Sequence, residues 1–253
     1  MASRSRRFAV AAIALLGLAS TARAMGAPDC APEDLAAVDA WLAKHPWHAG
    51  ATAPDALAAT ACKLWPFDKR LLIVAAAYAQ DQEQDKNLVV ALVDTQAMTL
   101  RAAFQGVVPE DETWSVTQAS LRIDTAPYDL APGVRAFGVD VTSDALEAPV
   151  RGGITATRSL FVPDGAHLRL VLDGFVLTTS RKAAGGAIET TSAKIAIGSH
   201  RTHEFADLQV TRKSEAGAAV QERATFTYDG SRYDGDAGYR IHQLAAQGEA
   251  RQR

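Results

Sequence analysis

The sequence predicts a mainly β protein of the α+β class, with a short disulfide-tied helical unit near the amino terminus packed on an antiparallel sheet or sandwich. Helix-like segments stand between the only two cysteines, Cys30 and Cys62. After Pro66, short runs of β-branched or alternating apolar residues follow one another, separated by turn residues. The connections are too short for parallel crossovers, which need about a dozen residues or more.

Residues 1–24 have the features of a cleaved secretory signal peptide. Three arginines precede an apolar stretch at 8–19, and Ala22 to Ala24 fits an A-x-A cleavage pattern. A membrane anchor needs about 20 apolar residues, which this stretch does not reach. We therefore expect a soluble protein, exported to a bacterial periplasm and starting near Met25.

Residues 25–66 are predicted to form the helical unit. Pro32 suits a first helical turn, and Leu35, Val38 and Leu42 recur at helical spacing until Pro46 ends the helix. A second helix is predicted from Pro54 to Cys62. In an oxidising compartment an isolated cysteine pair indicates a disulfide. In the chain-entropy model this disulfide lowers the entropy of the unfolded chain and so stabilises the folded protein by about 3–4 kcal/mol.

Residues 67–253 are predicted to form the β-rich domain, sandwich-like or a wrapped sheet. Eleven strands are predicted, at 71–79, 88–94, 98–104, 113–123, 134–142, 155–162, 168–179, 193–197, 205–211, 224–228 and 239–242. Turns are expected at Pro163 to Gly165, at 181–187 and at Asp229-Gly230, which is a strong hairpin signal.

The amino-acid composition limits the classes of function that the protein can have. With 48% hydrophobic residues the chain can build a packed core, which excludes intrinsic disorder. The overall net charge is −3, and because residues 1–24 contain four arginines and no acidic residue, the remainder carries −7. Nucleic-acid binding needs a basic face and is therefore disfavoured.

Two histidines and an acid lie close together in sequence: His200, His203 and Glu204. These residues are candidate metal ligands, because imidazole and carboxylate groups together bind transition metals. In a strand, however, positions three apart point to opposite faces, so only a turn would bring both rings together. We therefore expect no metal and no cofactor.

Aromatic residues are concentrated in or beside the helical segment, with Trp47, Trp65 and Trp114 as candidate binding residues. They could line a groove suited to sugars or peptides. We expect instead that they hold the helical unit onto the sheet, because a small helical segment needs large contacts to stay docked.

No nucleophile elbow, phosphate loop or zinc-protease motif is present, so catalytic residues cannot be named. Carboxylates near strand ends, such as Asp124, Asp129 and Asp140, are candidates for a catalytic pair. We expect a non-enzymatic cell-envelope protein that binds a protein, peptide or glycan partner. The alternative is a periplasmic hydrolase that uses carboxylates or a histidine-based metal site.

The cleavage pattern generates a direct prediction. Intact-mass measurement of the exported protein should give a chain that begins at or near Met25, because the signal peptidase removes the residues before it. Recovery of the full-length chain in the membrane fraction would contradict the signal-peptide interpretation.

Overall fold

The computed structural model describes residues 30–47, 56–79, 85–143, 153–183, 185–215, 221–235 and 245–246. Within these ranges the chain forms one helix and thirteen strands, and no helix there is long and apolar enough to cross a membrane. The elements are α1 (Pro32–Leu42), β1 (Leu57–Leu64), β2 (Leu71–Ala79), β3 (Lys86–Asp94), β4 (Thr99–Val108), β5 (Leu121–Ala131), β6 (Val134–Thr142), β7 (Gly153–Asp164), β8 (His167–Lys182), β9 (Ile188–Thr202), β10 (Phe205–Ser214), β11 (Gln221–Tyr228), β12 (Tyr233–Asp234) and β13 (Ala245–Ala246). The predicted fold class is confirmed.

Helix α1 forms where the sequence predicts a helix. Proline opens its first turn, Glu33 and Asp34 lie near its positive end, and Val38 and Leu42 are buried on one face. The imidazole Nδ1 of His45 lies 2.9 Å from the carbonyl oxygen of Trp41, just past the last turn. Cys30 is bonded to Cys62, so the predicted disulfide is confirmed.

The second predicted helix, from Pro54 to Cys62, is wrong: residues 57–64 form strand β1, while 54–55 lie outside the described residues. Alanine favours helix, and five of these eight residues are alanine or leucine at spacings that fit either structure. Pairing with β2 decides the outcome, because it places Ala59 and Ala61 in the core while Cys62 faces the helix.

The strands form one hydrogen-bonded network. Its main path runs β1-β2-β3-β4-β8-β9-β10-β11-β12, while β5, β6 and β7 branch from β8 and β13 pairs with β4. One edge of β8 pairs with β7 along its length. The other edge meets β4 in a parallel bridge at His167 and then β9 from Thr178 onwards. Every other ladder is antiparallel.

A bulge bends β8 in its middle. Leu160 pairs with Leu172 and Arg158 pairs with Phe175, so that Ser159 alone opposes Asp173 and Gly174. Gly174 adopts φ +55°, and its amide donates to the Ser159 hydroxyl at 3.1 Å. Because an L side chain rarely adopts this φ, glycine suits the bend.

Three apolar clusters separate the structure into layers. The first lies between β1–β4 and β5–β7, the second lies between the opposite face of β5–β8 and β9–β12, and the third lies between α1 and the outer face of β2–β4. Residues of β2 and β3 therefore alternate between two clusters and are buried on both faces, which explains their continuous apolar runs.

One strand prediction needs correction. Residues 113–120 of the predicted strand 113–123 form turns instead, because Asp111 accepts hydrogen bonds from the backbone and hydroxyl of Thr113 and the strand begins only at Leu121. The Asp229-Gly230 hairpin is confirmed, although four residues rather than two connect Tyr228 to Tyr233. Strand 239–242 lies outside the described residues.

Removal of the disulfide is expected to lower the stability of the fold. Cys30→Ala/Cys62→Ala should reduce the free energy of unfolding by about 3–4 kcal/mol, because a closed loop with a separation of 32 residues restricts the unfolded chain. Urea titration of both proteins measures the change. Equal midpoints for the oxidised wild type and the double variant would contradict it.

Candidate functional site

The three candidate tryptophans are buried. Trp47 packs against Tyr78 in the cluster beneath α1, at 6.3 Å between ring centroids. Trp65 lies in the first cluster between Phe67 and Phe137, and Trp114 is only 1% exposed. A sugar platform needs exposed ring faces, which these three residues do not present together.

The candidate metal ligands lie at the junction of β9 and β10. His200 is an exposed residue of β9, while His203 and Glu204 form the connecting turn with φ of +49° and +73°. Nδ1 of His203 lies 2.9 Å from the carbonyl oxygen of Tyr228. Among the described residues no group of three or more His, Cys, Asp or Glu side chains is placed to hold a metal ion.

Two of the three candidate carboxylates, Asp124 and Asp140, lie together around Arg158. Arg158 bonds both oxygens of Asp140, at 2.6 Å from Nε and 2.8 Å from Nη2, and its Nη1 contacts Asp124. Asp129 lies elsewhere and forms a two-pronged surface ion pair with Arg135. Strand register explains the difference, because Asp140 is the direct cross-strand partner of Arg158.

The ion cluster extends across three strands. Arg122 on β5 lies opposite Asp140 on β6 and donates to it at 2.7 Å. Tyr128 accepts a hydrogen bond from Arg158 at 2.6 Å and donates one to Asp124 at 2.7 Å. Gly138 makes room for the cluster, since a Cβ there would lie 3.1 Å from the Arg158 side chain.

Electrostatics favour the charged forms of Asp124 and Arg158. Burial alone would raise the pKa of Asp124, but the Tyr128 hydroxyl and the Arg158 charge together lower it. Burial likewise opposes the charge of Arg158, yet the hydrogen bonds and charge of Asp140 raise its pKa overall. A carboxylate that is held ionised and fully bonded, as Asp124 is, is a poor general acid, so this pair does not resemble a hydrolase dyad.

Beside this cluster, the edges of β1 and β5 face each other across a cavity. The cavity has a volume of about 430 Å³ and is lined by Cys62, Lys63, Arg122, Ile123 and Asp124. Within the described part of the chain, β1 pairs only with β2 and β5 pairs only with β6. The ammonium of Lys63 donates to the Ile123 carbonyl at 3.4 Å across this gap. We call the gap the β1–β5 seam.

The outer edge of β1 directs backbone groups into the seam. The Trp65 amide bonds the Leu71 carbonyl of β2 at 2.9 Å. Because backbone groups of an antiparallel strand alternate in direction, Leu64 and Cys62 point their amide and carbonyl groups away from β2. Leu64 is 55% exposed, and the nearby Phe67 is 47% exposed beneath the guanidinium of Arg135.

Comparison of the chain with protein-family models, with curated proteins and with solved structures returns no match. The function therefore has to be inferred from the geometry. The described residues offer an ion cluster that is internally satisfied and, next to it, an open strand edge with a cavity.

Sequence reasoning named Asp124 and Asp140 but missed Arg158, Arg122 and Lys63. The alternation of charged and apolar residues from Leu121 to Asp124 was the one available signal, because it places two charges on one face of β5.

Loss of the central arginine is expected to destabilise the protein in a pH-dependent way. Arg158→Met leaves Asp124 without its ion-pair partner and Asp140 with Arg122 alone, which should cost about 3–5 kcal/mol at pH 7. The lowered pKa of Asp124 means that its contribution is present above the unfolded value of 3.8 and is lost as pH falls through the folded value. The difference in free energy of unfolding between the variant and the wild type should therefore be smaller at pH 3 than at pH 7.

Urea unfolding of both proteins at pH 7 and pH 3 measures this difference. Arg135→Met is the matched control, because it removes an arginine from an exposed pair and should change stability much less. If the difference in free energy of unfolding is larger at pH 3 than at pH 7, the ionised cluster is not the source of the stabilisation.

Proposed function

We propose that this chain is an exported, non-enzymatic protein of the bacterial cell envelope that binds an extended segment of a partner polypeptide along strand β1. The signal-like residues 1–24 and the Cys30–Cys62 disulfide support export to an oxidising compartment, the periplasm.

The observation that carries the proposal is the edge of β1 opposite the cavity of about 430 Å³. Its outward amide and carbonyl groups at Cys62 and Leu64 match the ladder that an added strand needs. Main-chain bonds supply affinity in this mode of recognition, and pockets for alternate side chains supply specificity. The cavity beside β1 provides such a pocket.

Two other edges are less suited to adding a strand. Strand β5 contains Pro127 and a register shift between Asp124 and Tyr128, and both features protect an edge. Strand β11 carries the adjacent charges Glu222 and Arg223. From Ala59 to Leu64, β1 has an unbroken register and a single charge.

The other functions considered have weaker support. A glycan platform would need exposed aromatic faces, but Trp47, Trp65 and Trp114 are buried. A carboxylate hydrolase would need an acid or base free to exchange a proton, whereas Asp124 is bonded to Tyr128 and Arg158.

The test blocks the edge without touching the core. Leu64→Pro removes one outward amide at an exposed edge position, where proline is tolerated. Leu64→Thr removes the same side chain but keeps the amide. Decapeptides are selected from a displayed random library on the wild-type protein, and their affinity for all three proteins is then measured by calorimetry.

We expect selected peptides to lose at least tenfold in affinity for Leu64→Pro, to bind Leu64→Thr within about threefold of wild type, and to slow hydrogen exchange at the amides of Cys62 and Leu64. Failure to select any peptide, or equal affinity for Leu64→Pro, would overturn the proposal. A wild-type dimer that Leu64→Pro converts to monomer would assign the edge to a second copy of the chain and would also overturn it. Circular dichroism confirms that each variant is folded.

A further inference from the structure

The charges around the β1–β5 seam do not cancel. Asp140 is bonded by Arg122 and Arg158, and both oxygens of Asp124 are used, one by the Ala126 amide and the other by Tyr128 and Arg158. The two carboxylates thus balance the two guanidinium groups. Counting only residues that the structure describes, Lys63 remains as the excess positive charge of the seam.

Lys63 is held weakly. Its hydrogen bond to the Ile123 carbonyl is 3.4 Å long, and no carboxylate lies within 4.0 Å of its ammonium group among the residues that the structure describes. Arg122, on the opposite side of the cavity, is 71% exposed at its side chain although it bonds Asp140. The seam therefore presents two cationic groups beside the edge of β1.

We propose that the β1–β5 seam selects a partner strand that carries an acidic side chain facing Lys63 and Arg122. This inference rests on the proposed function, since the acidic strand is the one that pairs with β1. As the strand binds, Lys63 leaves the Ile123 carbonyl and pairs with the partner's carboxylate. Arg122 keeps its bonds to Asp140 and adds a second cationic contact.

Two roles for Lys63 explain its contact with Ile123, and the test must distinguish them. A lysine on an edge strand discourages strand addition in general. If Lys63 acts only in this way, its removal should strengthen the binding of every peptide. If it recognises an acidic group, its removal should weaken the binding of acidic peptides alone.

The test uses Lys63→Met, which keeps the length of the apolar stem but removes the charge. Lys194→Met, on exposed β9, is the matched control. The probes are a decapeptide selected on the wild-type protein and the same peptide with each Asp or Glu changed to Asn or Gln. Affinities are measured at low and high salt.

We expect the selected peptides to contain Asp or Glu, and Lys63→Met to weaken the acidic peptide about tenfold while leaving the amidated peptide within about twofold. The salt dependence of binding should fall in parallel. Selected peptides without acidic residues, or tighter binding of both probes by Lys63→Met, would overturn this inference but leave strand addition intact. If no peptide binds at all, the proposed function itself fails.

Discussion

The layered structure depends on strand β8, which links the layers through its hydrogen bonds. It is hydrogen-bonded to β7 on one edge and, on the other, to β4 at its start and to β9 at its end. A straight strand could not pair with all three neighbours, because they lie in separate layers. The bulge at Ser159 and the positive φ of Gly174 supply the bend, and they do so where two apolar clusters lie back to back.

The ion cluster fixes the register of the middle layer. Asp140 and Arg158 lie on the same face of β6 and β7, while Phe137 and Val139 point into the opposite cluster. A slip of one residue between these strands would place a carboxylate among apolar side chains. Burying these charges is costly, so the cluster specifies one pairing more than it adds to the net free energy of folding.

The strand-rich character was predictable because apolar runs and turn residues act locally, as the exact match of β6 with the predicted strand 134–142 illustrates. Strand β1 was missed because alanine-rich segments fit helix or strand until a neighbour pairs with them. Asp124 and Asp140 could be named as candidates, but their link through Arg158 depends on register. The β1–β5 seam depends on strand order, which hydrophobic periodicity does not specify.

The disulfide joins α1 to the strand that borders the seam, and this has a mechanical consequence. A load applied along β1 would reach the rest of the protein through the β1–β2 hydrogen bonds and, at Cys62, through a covalent bond to the segment that begins α1. The helix rests on the outer face of β2–β4, so its apolar contacts share that load. The edge strand is thereby anchored to the helical segment through Cys62, and peeling it away requires the helix to move with it.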